Sequence, residues 1–396
     1  MVGAMAVREA ARPESDEAFL AEVRSFLDRA LTDDLREAGR AAIGVHADIE
    51  ACRIWHRRLY QRGWIAPAWP KEWGGAGWTP RQRFLFDREL ALNDAPVLFA
   101  GGIRSLGPLL IEAGTPAQRR RYLQPILTGE DLWAQGFSEP GAGSDLAALQ
   151  TRAVLDGDAY VVDGQKIWTT GAHHSNRMFA IVRTAQLDKP QKGLTFLLID
   201  MASPGLTVVP ILGLNGEHEF NQVFFEGVRV PVANRVGEEN DGWSVAKRLM
   251  QLARSNNTPA ALVRRVLRNA EAAAHAAGPT LEPEVWRRLA QFRIELETFE
   301  QLELAALPAG RPRPGDATAP SMLKLIGSEL HQKVAELAKD IAGPLAPPAL
   351  YGADLAPLGL EEPAHATAKH FAVRAATIYS GSSETQRNVI ARSLLG

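Results

Sequence analysis

The spacing of apolar residues changes twice along the chain, and the order of those changes limits the fold. In the first third, Phe19, Val23 and Phe26 begin a series of apolar residues at helical spacing. From about residue 131, short apolar runs are separated by turn pairs such as Asp156-Gly157, which is typical of antiparallel strands. Helical spacing returns from residue 240. We therefore predict an α+β fold with an N-terminal helical domain (1–130), a middle antiparallel β domain (131–239) and a C-terminal helical bundle (240–396).

Composition excludes several classes of function. The 396 residues include 44 basic and 46 acidic side chains, a balance that argues against nucleic acid as a partner. No apolar run approaches the roughly 18 residues of a membrane span, so we predict no membrane insertion. The charged segment Met1 to Pro13 does not resemble a signal peptide, and Cys52 is the only cysteine, so we expect a cytoplasmic protein. The histidines lack carboxylate or cysteine partners at ligand spacing, and no metal site is predicted.

A glycine-rich polar turn lies between apolar runs of the middle domain. Residues 137–145 read Phe-Ser-Glu-Pro-Gly-Ala-Gly-Ser-Asp. Pro140 fixes one corner of the turn, while Gly141 and Gly143 allow a left-handed backbone and leave no Cβ to block a close approach. Such a turn can bring backbone amides against a flat polar ligand.

A second polar segment follows about two dozen residues later and reads Lys166-Ile167-Trp168-Thr169-Thr170-Gly171. An aromatic plane followed by two hydroxyl groups suits a ring system with polar edges. Each segment by itself also fits a solvent-facing turn of a β-rich region. The two together favour a ligand site.

The two segments resemble the flavin-binding signatures of the acyl-CoA dehydrogenase family. The resemblance extends from Gly63-Trp64-Ile65-Ala66-Pro67 to Gln386-Arg387-Asn388-Val389-Ile390. It implies FAD at the junction of the β domain and the helical bundle, with Trp168 beside the flavin ring and the Thr170 hydroxyl at flavin N5. The residues that the resemblance assigns to the cofactor are Gln135, Phe137, Ser138, Gly143, Ser144, Trp168, Thr169, Thr170, Ser382, Glu384 and Gln386.

The C-terminal part of this assignment has a structural alternative. In the family, the segment that corresponds to residues 382–386 contacts the adenosine side of FAD. Ser383 and Gln386 also have the spacing of a capping box, which would make them the start of a helix. A helix N-terminus suits phosphate oxygens in addition, so both roles stay open.

The resemblance also indicates a missing catalytic group. Family members remove a proton beside the thioester with a glutamate, placed either in a Tyr-Glu-Gly sequence or in a Glu-Arg pair on a long helix. Here these sequences are Tyr379-Ser380-Gly381 and Ala253-Arg254, so Ser380 and Ala253 stand at the two base positions. A serine hydroxyl is a poor base without an activator. The family pattern also implies that Ser144 and Arg254 contact the acyl-CoA-type thioester substrate.

Three other groups could supply the base. Glu384 lies four residues after Ser380, although its family role is toward adenosine. The Glu217-His218-Glu219 and His173-His174 groups could enter the pocket, but each also fits a solvated loop. The catalytic base is therefore left unassigned.

Two further departures concern neighbouring subunits. Many family members direct an Arg-x-x-Phe-Gly loop to the diphosphate of a partner's FAD, whereas the corresponding loop here is Ala276-Ala277-Gly278-Pro279, without a cation. A Gly-Gly turn is replaced by Ala342-Gly343-Pro344-Leu345. Both replacements resemble a branch that includes subunits of heteromeric actinobacterial acyl-CoA dehydrogenases acting on steroid side chains. In that branch one subunit can lack the base or the complete flavin site. We expect a homo- or hetero-oligomer, a dimer or a tetramer.

Three functional hypotheses follow. In the first, the chain is an FAD-dependent oxidoreductase that carries out α,β-dehydrogenation of an acyl-CoA thioester with an unrecognised base. In the second, it is a catalytically incomplete subunit of a heteromeric dehydrogenase. In the third, it is a flavin-dependent monooxygenase on the same fold, for which no α-proton base is needed.

Overall fold

Helices flank a single β-sheet in chain order. The computed structural model describes residues 15–252, 258–278, 281–308, 318–343 and 361–395. The helices are α1 (Asp16–Ala30), α2 (Asp33–Arg40), α3 (Ile49–Arg62), α4 (Pro80–Leu92), α5 (Gly107–Ala113), α6 (Pro116–Thr128), α7 (Gly242–Leu252), α8 (Ala260–Ala277), α9 (Pro283–Ala305), α10 (Ala319–Ala342), α11 (Glu361–Ala372) and α12 (Ser383–Leu395). The strands are β1 (Trp133–Gly136), β2 (Arg152–Asp156), β3 (Ala159–Lys166), β4 (Arg177–Arg183), β5 (Leu194–Asp200), β6 (Leu206–Leu212), β7 (His218–Pro231) and β8 (Arg235–Val236). The predicted α+β class is confirmed.

Two helices of the N-terminal region begin with a capping box. The hydroxyls of Thr79 and Thr115 accept hydrogen bonds from the N–H groups of Gln82 and Gln118, and each glutamine side chain accepts one from the threonine N–H at 3.0 Å. Each helix has proline as its first residue, where the missing N–H costs no hydrogen bond. These local signals therefore determine where α4 and α6 start.

Tryptophan side chains dominate the core of the N-terminal helices. Trp55, Trp64 and Trp69 are buried, and the Trp69 indole N–H donates to the Ile103 carbonyl at 2.9 Å. Phe26 packs edge-on against Trp64, with ring centroids 4.9 Å apart. Large aromatic side chains thus fill the space between short helices.

The sheet has the strand order β6-β7-β3-β2-β4-β5-β8, with β1 also paired to β4. The sheet is antiparallel except at two places. Strand β1 runs parallel to β4, and a single residue pair, Arg152 with Arg183, joins β2 to β4 in parallel. The residues of β4 alternate between two cores: Phe179 and Ile181 join the core of the N-terminal helices, while Met178, Ala180 and Val182 pack on the other face. The sheet is therefore buried on both sides at β4.

The C-terminal bundle is built on α8, α9 and α10, whose core includes Leu267, Phe299, Leu330 and Val334. Helices α7 and α8 lie on either side of residues outside the described part. Val245, Ala246 and Leu249 of α7 belong to the core shared by the N-terminal helices and the sheet. The proline- and glycine-rich residues 309–315, a composition typical of a linker between helices, lie outside the described part of the chain. Within the described ranges, no helix is long and apolar enough to cross a membrane.

Candidate functional site

The glycine-rich turn closes on itself through backbone hydrogen bonds. Glu139 and Ala142 exchange two bonds of 3.0 Å, so Pro140 and Gly141 form the tip. Gly141 and Gly143 do not adopt the left-handed backbone that glycine permits. A Cβ at either position would meet nothing within 4 Å, so both glycines face open space. The turn therefore has room for a ligand beside it, as predicted, without special backbone angles.

A buried ion pair anchors this turn to β3. The Lys166 ammonium donates to the Glu139 carboxylate at 2.7 Å and to the Phe137 carbonyl at 3.1 Å. The same carboxylate accepts the N–H groups of Gln150 and Thr151. Burial lowers the pKa of Lys166 to about 8. Although burial opposes it, the Lys166 charge holds the pKa of Glu139 below its ordinary value. Glu139 is thus an anchor inside the protein and does not face a ligand.

The two polar segments meet edge to edge. The Ile167 N–H donates to the Ser138 carbonyl at 2.9 Å, which places Trp168 next to the turn. Trp168 has a left-handed φ of 58° and is 58% exposed, an unusual combination for a large aromatic residue. Its ring contacts Phe220 edge-on at 6.1 Å. A strained, exposed aromatic residue points to a ligand that covers it. We call residues 137–145 together with 166–171 the paired segments.

Thr169 and Thr170 differ in their surroundings. Thr169 is fully buried, and Asn221 makes two hydrogen bonds to its backbone. The Asn221 carbonyl accepts the Thr169 N–H, and the Asn221 side chain donates to the Thr169 carbonyl. The Thr169 hydroxyl has no hydrogen-bond partner among the described residues. Thr170 is half-buried. Next to it, a Cβ on Gly171 would come within 2.5 Å of the Phe99 ring, so the N-terminal helical region lies directly against the second segment.

The C-terminal segment, residues 379–386, forms a turn and the start of α12. The helix cap is Ser382, whose hydroxyl accepts the Thr385 N–H at 3.3 Å, and not Ser383 as the spacing had suggested. The Gln386 side chain reaches back to the carbonyls of Ser380 and Gly381. Ser380 is exposed and has a left-handed φ of 57°. Ala253 and Arg254, named as base and substrate positions, lie outside the described residues.

Comparisons with known proteins identify the family. The profiles of the acyl-CoA dehydrogenase N-terminal, middle and C-terminal domains match residues 13–130, 134–228 and 240–395. The acyl-CoA dehydrogenase IpdE1 of Mycobacterium tuberculosis is 36% identical over 96% of this chain and 97% of its own length. The chain belongs to the acyl-CoA dehydrogenase family.

Solved structures of acyl-CoA dehydrogenases agree with the predicted branch. A structure described as the Tcur3481-Tcur3483 steroid ACAD has a TM-score of 0.81 and 29% identity, covering 99% of both chains. The ChsE4-ChsE5 complex from Mycobacterium tuberculosis has a TM-score of 0.80 and 30% identity, covering 98% of both chains. Resemblance to the heteromeric steroid-type branch is therefore confirmed.

Members of the acyl-CoA dehydrogenase family are flavoproteins that generally hold FAD, so a flavin-dependent oxidoreductase is confirmed. The residues present in this chain fit a flavin. The two segments joined by the Ile167–Ser138 bond carry an exposed Trp168 ring, a Thr169 hydroxyl without a partner among the described residues and open space at Gly143. Ser138 and Thr170 are half-buried there, and Gln135 is exposed in β1. The individual cofactor contacts remain predictions.

A histidine cluster, which the sequence did not predict, adjoins the paired segments. His173 stacks on His218 with ring centroids 3.8 Å apart, and the two rings bond opposite atoms of the Asn221 amide at 3.0 and 2.7 Å. His174 lies 3.9 Å from His173 and 6.2 Å from His46 of the N-terminal region. Burial, with the nearby charges of His174 and His218, lowers the pKa of His173 to about 4. Its ring is neutral at pH 7 and accepts the amide hydrogen.

The Glu217-His218-Glu219 group is only partly a solvated loop, because Glu217 is exposed while His218 and Glu219 belong to β7. Glu219 is 6% exposed, and its carboxylate accepts the Val45 N–H. Burial raises the pKa of Glu219, while His46 and Lys369 oppose that rise. Since Lys369 belongs to α11, this carboxylate lies where the N-terminal region, the sheet and the C-terminal bundle meet. In the described part of the chain, no three or more of the histidine, cysteine and carboxylate side chains are arranged so that they could hold a metal ion.

Proposed function

We propose that this chain is the FAD-binding subunit of a hetero-oligomeric acyl-CoA dehydrogenase. The assembly oxidises an acyl-CoA thioester between its α and β carbons, and another subunit supplies the carboxylate that removes the α-proton. The similarity to the steroid ACAD and to the ChsE4-ChsE5 complex, each named as a pair of proteins, supports a hetero-oligomer. The word steroid in the first of these names also supports a substrate with a steroid-derived acyl group.

The paired segments are the basis for FAD binding. FAD supplies a hydride acceptor when it is bound. The exposed Trp168 ring would cover one side of the flavin and keep water from it. Thr170 would donate its hydroxyl hydrogen to the nitrogen that receives hydride, and the bond gains strength as charge develops there. Because the Glu139–Lys166 ion pair fixes the turn, these groups are positioned before the cofactor arrives.

The observation that carries the proposal is the residue at position 380. The α-proton of a thioester is weakly acidic, and a positioned base contributes about 10²–10⁴-fold to its removal. Ser380 offers a hydroxyl in place of a carboxylate, and it follows Tyr379, whose pKa is raised to about 12 by burial and by the Glu219 charge. Both side chains stay protonated at neutral pH and cannot accept the proton.

The nearby carboxylates are engaged elsewhere. Glu219 accepts the Val45 N–H and is 6% exposed, which suits a role in holding the domains together. Glu384 is exposed on the first turn of α12, and hydrogen bonds from its own backbone and from Ser382 lower its pKa, which weakens it as a base. The base is therefore expected to come from a partner subunit.

The test compares the chain alone with the chain co-expressed with candidate partners. We expect both preparations to purify yellow, and only the complex to lose flavin absorbance when acyl-CoA thioesters, including a steroid-derived one, are added without oxygen. A homo-oligomer that is bleached at ordinary turnover rates would overturn the partner part of the proposal. A colourless chain that FAD cannot reconstitute would overturn the cofactor part.

A gain of function sharpens the test. Ser380→Glu places a carboxylate at the family position, so this variant alone should be bleached by a thioester that the wild-type chain alone does not oxidise. Ser380→Gln is the matched control and should remain inactive, because it has the same size without a base. If both variants stay inactive although both bind FAD, position 380 does not face the substrate.

A further inference from the structure

The side chain of Asn221 joins the second polar segment, residues 166–171, to two histidines. Asn221 lies on β7 and is fully buried. Its amide nitrogen donates to the Thr169 carbonyl at 3.0 Å and lies 3.0 Å from His173 Nδ1. Its amide oxygen lies 2.7 Å from His218 Nε2. Both amide hydrogens and the amide oxygen are therefore engaged inside the protein.

The partners of Asn221 determine where the hydrogens of this network are. A carbonyl oxygen can only accept a hydrogen bond, so the atom of Asn221 that faces Thr169 is the amide nitrogen. The second hydrogen of that nitrogen points to His173 Nδ1, which must then be unprotonated. Burial lowers the pKa of His173 to about 4, which agrees with this requirement. The amide oxygen faces His218 Nε2, which must carry a hydrogen. The two histidines thus hold the amide in one orientation.

This network restrains the backbone on both sides of Thr170. The Thr169 carbonyl belongs to the planar peptide that joins Thr169 to Thr170, so its bond from the Asn221 amide fixes that plane. The next peptide plane is fixed by the Gly171 N–H, which donates to the Glu219 carbonyl at 2.9 Å. With both planes restrained, the direction of the Thr170 side chain is set. The Thr170 hydroxyl itself makes no hydrogen bond to the described residues.

We propose that Asn221, held in its orientation by His173 and His218, is a positioning residue that directs the Thr170 hydroxyl toward the flavin. The inference rests on the proposed function for the identity of the ligand. A rotated amide would place its oxygen against the Thr169 carbonyl oxygen, so the histidines exclude that arrangement. The hydroxyl is therefore oriented before the cofactor binds.

The test uses matched variants at His173. The side-chain oxygen of an asparagine can replace Nδ1 as acceptor, so His173→Asn keeps the bond to Asn221, whereas His173→Leu removes it. Flavin fluorescence quenching should show FAD binding about five- to tenfold weaker in His173→Leu and within about twofold of wild type in His173→Asn. The control is His174→Leu, because the His174 ring makes no hydrogen bond to the described residues, and it should stay within about twofold.

A double-mutant cycle separates positioning from general damage. Thr170→Val removes the hydroxyl and keeps the shape of the side chain. In the Thr170→Val protein, His173→Leu should weaken FAD binding by less than about twofold, because there is no hydroxyl left to direct. An equal loss in both backgrounds would overturn the inference, and so would an equal loss in His173→Leu and His173→Asn.

A second matched pair is available if His173→Leu does not fold. His218→Gln retains a donor nitrogen near the position of Nε2, whereas His218→Leu does not. The glutamine variant should keep FAD affinity within about twofold, and the leucine variant should lose about five- to tenfold. Equal affinities in the two variants would contradict the role given to His218.

The proposed function can fail separately. If the wild-type chain cannot be reconstituted with FAD, NMR of the protein labelled with ¹⁵N-threonine tests the positioning by itself. The Thr170 amide signal, identified by its loss in Thr170→Val, should be a single sharp peak in wild type and in His173→Asn. It should be broadened or doubled in His173→Leu. An unchanged sharp peak in His173→Leu would overturn the inference.

Discussion

Two buried lysines of this protein have opposite surroundings. Lys166 in the sheet is fully buried and bonds both the Glu139 carboxylate and the Phe137 carbonyl. Lys324 in the bundle is almost as deeply buried, yet its ammonium has no partner in the part of the chain that the structure describes. Because a buried charge is costly unless it is paired, the two residues have different tasks. Lys166 organises the paired segments before a ligand binds, whereas no described residue completes Lys324.

The same contrast extends to whole regions. In the sheet, the glycine-rich turn is closed by its own hydrogen bonds and anchored by the ion pair. The C-terminal segment includes a Ser383 hydroxyl without a partner among the described residues and a serine at the family's base position. The glycine-rich turn is thus prebuilt, whereas in our proposal the C-terminal region depends on a second subunit.

The largest expected effect comes from removing the paired lysine. Lys166→Met leaves the Glu139 carboxylate buried without its cation, and loss of one partner from a buried pair costs about 3–5 kcal/mol. Urea denaturation should show that decrease in the free energy of unfolding. Lys192→Met, at an exposed lysine, is the control and should stay within about 0.5 kcal/mol of wild type. Unchanged stability of Lys166→Met would contradict the structural role given to the paired lysine. The double variant Glu139→Gln/Lys166→Met should recover part of the lost stability, because it leaves no unpaired buried charge.

The second prediction concerns pH and the helix that carries Lys324. Burial, with the charges of Lys369, Arg265 and Arg374, lowers the pKa of His331 on α10 to about 3. The ordinary value is about 6.5, so between these values the unfolded chain binds more protons than the folded one. Stability should therefore fall as pH drops below about 6.5, by up to about 1.4 kcal/mol per pH unit for this residue.

A histidine variant checks that slope. His331→Gln should remove this part of the pH dependence, measured as the free energy of unfolding at pH 7 and pH 5. The exposed His275→Gln serves as control and should keep the wild-type slope. If His331→Gln and wild type lose stability in parallel, the bundle does not hold His331 neutral.

Trp168 tests whether the exposed aromatic ring serves the flavin. Trp168→Ala should weaken FAD binding by about tenfold, or about 1.4 kcal/mol, because the ring contact with the cofactor is lost. The free energy of unfolding without FAD should change by less than about 0.5 kcal/mol, since the ring is 58% exposed. A large loss of stability with unchanged FAD affinity would make Trp168 a packing residue.

The smallest effect compares two buried threonines. Thr169→Val removes a hydroxyl without a described partner and should stabilise the FAD-free protein by about 1 kcal/mol. Thr195→Val removes a hydroxyl that bonds Thr184 at 2.7 Å and accepts the Asn240 N–H, and it should destabilise by about the same amount. Thermal unfolding of the two variants should show changes in stability of opposite sign. Destabilisation by both would show that the Thr169 hydroxyl has a partner in solution.

Local sequence signals were sufficient for the order of domains and for the position of the two polar segments, and the Thr-Pro-x-Gln sequences at Thr79 and Thr115 mark two helix starts. These signals were insufficient for contacts between residues that are distant in sequence. Glu139 and Lys166 are 27 residues apart, and their ion pair depends on how β3 lies beside the turn. The histidine cluster forms only because β7 brings His218 next to His173. The sequence signal available for this cluster was a polar residue at an inward-facing position of a strand, such as Asn221.

Strands as short as β1, β2 and β8 leave little signal in the sequence, because each has at most five residues and little alternation of its own. The capping role was assigned one residue too far along, to Ser383. Two neighbouring serines have the same chemistry, and only the backbone geometry of the turn determines that Ser382 accepts the amide hydrogen.

The most direct test of the central claim is the flavin absorbance spectrum of the purified chain under anaerobic conditions, before and after addition of acyl-CoA thioesters. The account predicts a yellow protein whose spectrum stays oxidised when the chain is alone and is bleached when the partner subunit is present. Rapid bleaching of the chain alone would contradict it, because the chain would then contain its own base.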